Sequence, residues 1–141
     1  MNRLILVIFL SFTFTFIRAQ QAEDQAQQES EDYVNSGNMK ASQKKFADAI
    51  TDYNSAIELE PKYGMAYLYR GAAKAQLNNY KDAITDFDKA IEINPKHGLA
   101  YLYRGIAKKS LEDDDGACSD WKKASDFGTN TANEYIRDYC N

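Results

Sequence analysis

The chain has 141 residues, 44% of them apolar and 27% charged, the make-up of a single soluble globular domain. Seventeen basic against twenty-one acidic residues give a net charge of −4, with lysines interleaved among Asp and Glu, which argues against nucleic acid as the partner. With one His, no Gly-rich phosphate loop and no nucleophile elbow, there is no catalytic constellation, and no enzyme activity, cofactor or metal is expected.

The chain opens with a basic start at Arg3, a mostly apolar run from Leu4 to Ile17, and Arg18-Ala19 before the polar QQAEDQAQQESED. This pattern predicts a secretory signal peptide over 1–19, cleaved after Ala19. The run has 14 residues and includes Ser11, Thr13 and Thr15, short of the roughly 20 that span a bilayer as a helix. An uncleaved anchor is the competing reading. Cleavage would leave 15 basic residues against 21 acidic ones, a net charge of −6, and a protein periplasmic or secreted with no membrane insertion. Residues 20–29, rich in Gln, Glu and Ala, read as a flexible linker. Export also sets the redox expectation for Cys118 and Cys140, the only cysteines. An even pair in an oxidising compartment is expected to form a disulfide; two separate buried thiols are the alternative.

From Ser30 a period of 34 residues takes over. GMAYLYRGAAKAQL, starting at Gly64, returns as GLAYLYRGIAKKSL from Gly98, and Pro61 and Pro95 stand at the same offset. A fixed period of this length marks a solenoid of helical hairpins, each leaving an apolar face for its neighbour to cover. Tyr33, Tyr67 and Tyr101 share one position, and Gly37, Gly71 and Gly105 another. So do Ala49, Ala83 and Ala117, the rings of Tyr53, Phe87 and Trp121, and Ala56, Ala90 and Ala124. First helices are predicted over 31–43, 65–77 and 99–111, and second helices over 47–60, 81–93 and 115–126. The glycines let the second helix approach the first, and the aromatics fill the volume the small residues leave.

These positions resemble the tetratricopeptide repeat, W-x2-L-G-x2-Y, then A-x3-F, A and P. The resemblance implies an all-α, right-handed superhelical solenoid of three antiparallel helix pairs: repeat 1 over 30–63, repeat 2 over 64–97 and a divergent repeat 3 over 98–129. A capping helix over 130–141 follows, signalled by a capping box at Thr131 and Glu134 and by Ala132, Tyr135, Ile136 and Tyr139 at helical spacing. The ending AC-x-DW-x-KA, G, YC is similar to the tails of small exported bacterial members, in which Cys140 would bolt the cap to Cys118.

Repeat 3 departs from the pattern. Its turn reads EDDDG, and Thr129 replaces the closing proline. Calcium is not expected there, because a loop counted from Leu111 has an apolar first position and Lys122 at its twelfth. His97, alone after Pro95, reads as a turn residue.

Arg70 and Arg104 stand where the family prefers Leu, while Asp52, Asp86 and Asp120 recur on the second helices. Structural Arg–Asp ion pairs between them would make the semi-buried charges tolerable; arginines that hold a ligand carboxylate are the alternative. Lys40, Lys74 and Lys108 read as a solvated stripe. The resemblance places a binding groove on the concave face of the first helices, at Glu31, Val34 and Asn38, then Met65, Leu68, Tyr69 and Ala72, then Leu99, Leu102, Tyr103 and Ile106. Family members that clamp acidic chaperone tails use Lys, Asn, Asn, Lys and Arg; only Asn38 matches, and Val34, Tyr69, Leu99 and Tyr103 take the other places. The expected function is a non-enzymatic scaffold holding a protein or peptide with apolar side chains. The alternative is a self-associating structural envelope protein without a groove ligand; the oligomeric state is open.

Overall fold

The computed structural model describes the backbone of residues 2–140 and the side chains of residues 13–140. It contains seven helices and, among the described residues, no strand. They are α1 (Asn2–Ser42), α2 (Phe46–Leu59), α3 (Gly64–Gln76), α4 (Tyr80–Ile93), α5 (Gly98–Ser110), α6 (Asp114–Asp126) and α7 (Ala132–Tyr139). α1 pairs with α2, α3 with α4 and α5 with α6, and each pair packs on the next, ending with α7 on α6. α1 also meets α3, and α3 meets α5, whereas the second helices make no comparable contacts with one another. First helices closer together than second helices bend the stack, so α1, α3 and α5 line its concave side.

The helix limits from α2 to α6 fall within one residue of those read from the period. The N-terminal region differs: residues 20–29, expected to be a flexible linker, lie inside α1. Ala, Gln and Glu are good helix formers, the segment has neither Gly nor Pro, and Ser30 anchors its end by donating to the Ala56 carbonyl at 3.1 Å, fully buried. The expected leader over 1–19 lies partly outside the described residues. No helix among the described residues is long and apolar enough to cross a membrane.

The small residues interlock with rings. A Cβ built on Gly37, Gly71 or Gly105 would stand 2.5, 2.7 or 2.5 Å from the ring of Tyr53, Phe87 or Trp121. The glycines are therefore seats for the second helix's aromatic. Tyr53, Phe87 and Trp121 are each 1% exposed or less, and Ala49, Ala83 and Ala117 beside them are fully buried. Each first-to-second turn closes on a left-handed residue, Lys44, Asn78 or Glu112, with φ near 60°. That conformation strains any residue with a Cβ, Asn least.

α7 takes the place of a first helix of a fourth pair. Ala66 and Ala100, fully buried at the start of α3 and α5, have their counterpart in the fully buried Ala132, and Tyr135 follows it as Tyr69 and Tyr103 follow theirs. The equivalent residues, Ala100 and Ala132 or Tyr103 and Tyr135, are 32 apart instead of 34, which hides this from a strict period. Where α3 and α5 carry Gly71 and Gly105, α7 carries exposed Arg137, so no further ring could seat there. The expected capping box at Thr131 does not form, because Thr131 is itself helical and its side chain caps nothing. A disulfide joins Cys118 to Cys140, with Cα atoms 5.6 Å apart, and ties the end of α7 to α6. Closing a loop of this length contributes about 3 kcal/mol.

Candidate functional site: the concave face and the ion-pair layers behind it

Behind the concave face, each helix pair buries one carboxylate. Asp86 on α4 receives both Nε and Nη2 of Arg70 on α3, at 3.0 and 2.6 Å, and Lys74 reaches the same group at 2.8 Å. Asp120 on α6 is held identically by Arg104, at 2.8 and 2.6 Å, and by Lys108 at 2.8 Å. The third guanidinium nitrogen reaches back to the preceding pair: Arg70 Nη1 donates to Asn54 at 2.8 Å and Arg104 Nη1 to Asp88 at 2.6 Å. One arginine thus joins three helices. Burial alone would lower the Arg104 pKa, but its bonds to Asp120 and Asp88 outweigh that and raise it. The arginines also lie over Tyr67 and Tyr101, at 5.4 and 5.3 Å. All three guanidinium nitrogens of Arg70 and of Arg104 are engaged inside the protein.

In the first pair Ser36 stands at the arginine position. Asp52 there accepts from Ser36 at 2.7 Å and pairs with Lys40 at 2.7 Å. Lys40, Lys74 and Lys108 are therefore not a solvated stripe. They lie one helical turn beyond the arginine position, close enough for their ammonium groups to fold onto the buried carboxylate.

The residues proposed for the groove divide into two sets. Val34, Leu68 and Leu102 are 3%, 1% and 4% exposed and sit in the cores between pairs, so they cannot meet a ligand. A first helix needs an apolar stripe for its own partner before it can offer one outward. Asn38 is part-buried and accepts from the Tyr53 hydroxyl at 2.8 Å. Burial, with the Tyr69 and Asp52 charges adding to it, pushes that hydroxyl up to about 12, so it remains a donor. Ala72 is half-buried, and Ile106 packs under α7 beside Tyr135 and Tyr139. Met65 lies under His97, whose Nε2 is 3.2 Å from its sulfur.

Leu99 and Tyr103 remain open, at 40% and 36% exposure, and Tyr69 is half-buried against the core of the first pair. Each tyrosine rests on the buried ring of the preceding pair, Tyr69 on Tyr53 at 6.0 Å and Tyr103 on Phe87 at 6.1 Å. α7 continues the row, with Tyr135 on Trp121 at 5.0 Å and Tyr139 beside both. Sequence reasoning assigned Tyr135 only to covering the end of the stack; its equivalence to Tyr103 at an offset of 32 was the available signal. The candidate site is therefore a row of tyrosine rings held from behind by buried rings.

The tetratricopeptide repeat family profile matches residues 65–97, and a second TPR repeat profile matches residues 37–78. Residues 37–97 are tetratricopeptide repeats. Solved structures of tetratricopeptide domains superimpose on most of the chain. The Arabidopsis OM64 domain is 29% identical, with a TM-score of 0.74 over 79% of this chain and 97% of that one. The first TPR of Spaghetti (RPAP3), bound to the HSP90 peptide SRMEEVD, is 24% identical, with a TM-score of 0.76 over 79% and 90%. The TPR2B domain of yeast Sti1, in complex with an Hsp70 peptide, is 24% identical, with a TM-score of 0.70 over 78% and 88%. No curated protein matches the chain.

Proposed function

We propose that the protein is an exported, non-enzymatic scaffold that holds an uncharged, apolar peptide segment of another protein against Tyr69, Leu99 and Tyr103. In this reading α5 and α6 form a divergent third repeat, α7 is its cap, and the chain works outside the cytoplasm once the leader is removed. The observation that carries it is the tyrosine row on the concave face, in which Leu99 and Tyr103 are exposed, Tyr69 is half-buried, and each ring is backed by a buried ring of the preceding pair. Large aromatic faces that lose little conformational freedom on contact are what interface anchors require. Solved tetratricopeptide domains that hold HSP90 and Hsp70 peptides support peptide binding as the general activity. Their acidic ligands do not suit this chain, where Val34 is buried and the exposed positions are Leu99 and Tyr103.

An array of short peptides, probed with the protein and with Tyr69→Ala/Tyr103→Ala, tests the reading. Apolar peptides should bind the native protein and lose at least about tenfold in affinity to the double variant. Binding confined to peptides with acidic C-termini, or binding unchanged in the variant, would overturn it.

A further inference from the structure

The edge of the stack formed by the three first-to-second turns carries an ordered change of charge that peptide binding does not use. The first turn and the opening of α2 present Lys44 and Lys45 ahead of Asp48; the middle one presents Asn78 and Asn79 with Lys81 balanced by Asp82. The third reads Glu112, Asp113, Asp114, Asp115. The turns share one register and the same left-handed residue, so the edge runs from basic through neutral to acidic, and all these side chains are exposed. Asp114 is taken by Lys109 at 2.8 Å, and Asp113 caps α6 through the Gly116 amide at 3.0 Å. Among the described residues Lys44, Lys45, Glu112 and Asp115 form no ion pair. Leu77 and Leu111 lie on the same edge, 49% and 40% exposed.

We infer that this edge binds a second copy of the chain in an antiparallel, two-fold symmetric dimer. Rotation about an axis through the middle turn brings the basic turn of each copy onto the acidic turn of the other and sets Leu77 against its counterpart. Such an isologous arrangement satisfies both charged ends at once and closes on itself. A head-to-tail arrangement would satisfy one end and leave the other open. The concave face stays free, so dimer and peptide can be held together.

Charge exchange tests this, and the fold accepts the substitutions. Lys44→Glu places at the left-handed position the residue already found at 112, and Glu112→Lys does the reverse; Asp115→Lys copies Lys81 in the middle pair. In sedimentation velocity the full chain should dimerise at about 0.02 M salt and dissociate by about 0.5 M, where charges are screened beyond about 4 Å. Lys44→Glu/Lys45→Glu alone, and Glu112→Lys/Asp115→Lys alone, should remain monomeric at low salt. An equimolar mixture of the two should recover the dimer, because every contact in the mixed pair then joins opposite charges. A monomeric native protein at low salt, either variant dimerising as well as the native chain, or a mixture that stays monomeric would overturn the inference. Tyr69→Ala/Tyr103→Ala should leave the dimer unchanged, which separates this result from the fate of the peptide-binding reading.

Discussion

The first and third helix pairs handle the same buried carboxylate differently. Asp120 receives a two-pronged arginine and a lysine, and its side chain is 3% exposed. Asp52 has one lysine and a serine hydroxyl, and its side chain is 11% exposed. Depth of burial follows the strength of the partners: a carboxylate can be withdrawn from water only as far as cations and donors replace its hydration. Position in the stack explains the choice of partner. Arg70 and Arg104 each bond a preceding second helix, at Asn54 and Asp88, and among the described residues no second helix stands before the first pair. Ser36 completes its own pair and needs to do no more.

The sharpest way to break this contrast is Arg104→Met. It leaves Asp120 buried with Lys108 as its remaining cation and removes the link to α4, so urea unfolding should show a loss of about 3 kcal/mol. A loss below about 1 kcal/mol would mean that the arginine is ornamental and the two layers equivalent.

Ser36→Ala should have a smaller effect, about 1 kcal/mol, from one hydrogen bond lost. Its acid profile carries more information. Burial would raise the Asp52 pKa, but the bonds from Lys40 and Ser36 and the Lys40 charge outweigh it and hold the group below its ordinary 3.8. A carboxyl lowered by folding contributes stability that is present above the unfolded value and lost as pH falls through the folded one. Native protein should therefore shed this contribution below pH 3.8, and Ser36→Ala should show a smaller acid-dependent loss there. Parallel acid-unfolding curves for the two proteins would remove Ser36 from the account.

The smallest effect is expected from Ser36→Arg, which rebuilds the first layer on the plan of the others. With Asp52 partly open to water and no earlier helix to reach, the gain should stay under about 1 kcal/mol in the same urea measurement. A gain as large as the Arg104→Met loss would show that the missing predecessor is irrelevant.

The fold was legible because each repeated position has a single mechanical task. A glycine seats a ring, an alanine admits a helix, and these tasks leave a 34-residue rhythm in the sequence. The concave face was less legible. Val34, Leu68 and Leu102 differ from Leu99 only in which side of one helix they take, and that depends on the lean of the neighbouring pair. The lysines hid for a related reason, since a long flexible side chain shows its base in the sequence and its destination only in three dimensions. Tyr135 escaped because it stands 32 residues after Tyr103, two fewer than the rhythm calls for. Residues 20–29 misled in another way: a polar composition marks exposure, and an exposed segment can still be helical.

The match between α7 and the first helices has a consequence for how such a molecule can change in length. The surface that α6 offers to α7 is of the same kind that α2 offers to α3 and α4 offers to α5. A duplicated hairpin spliced in ahead of α5 would find a ready socket on one side and present one on the other, with the bonded tail still closing the end. Growth by whole modules is thus built into the joints, and the number of modules is free to drift while the two ends stay fixed.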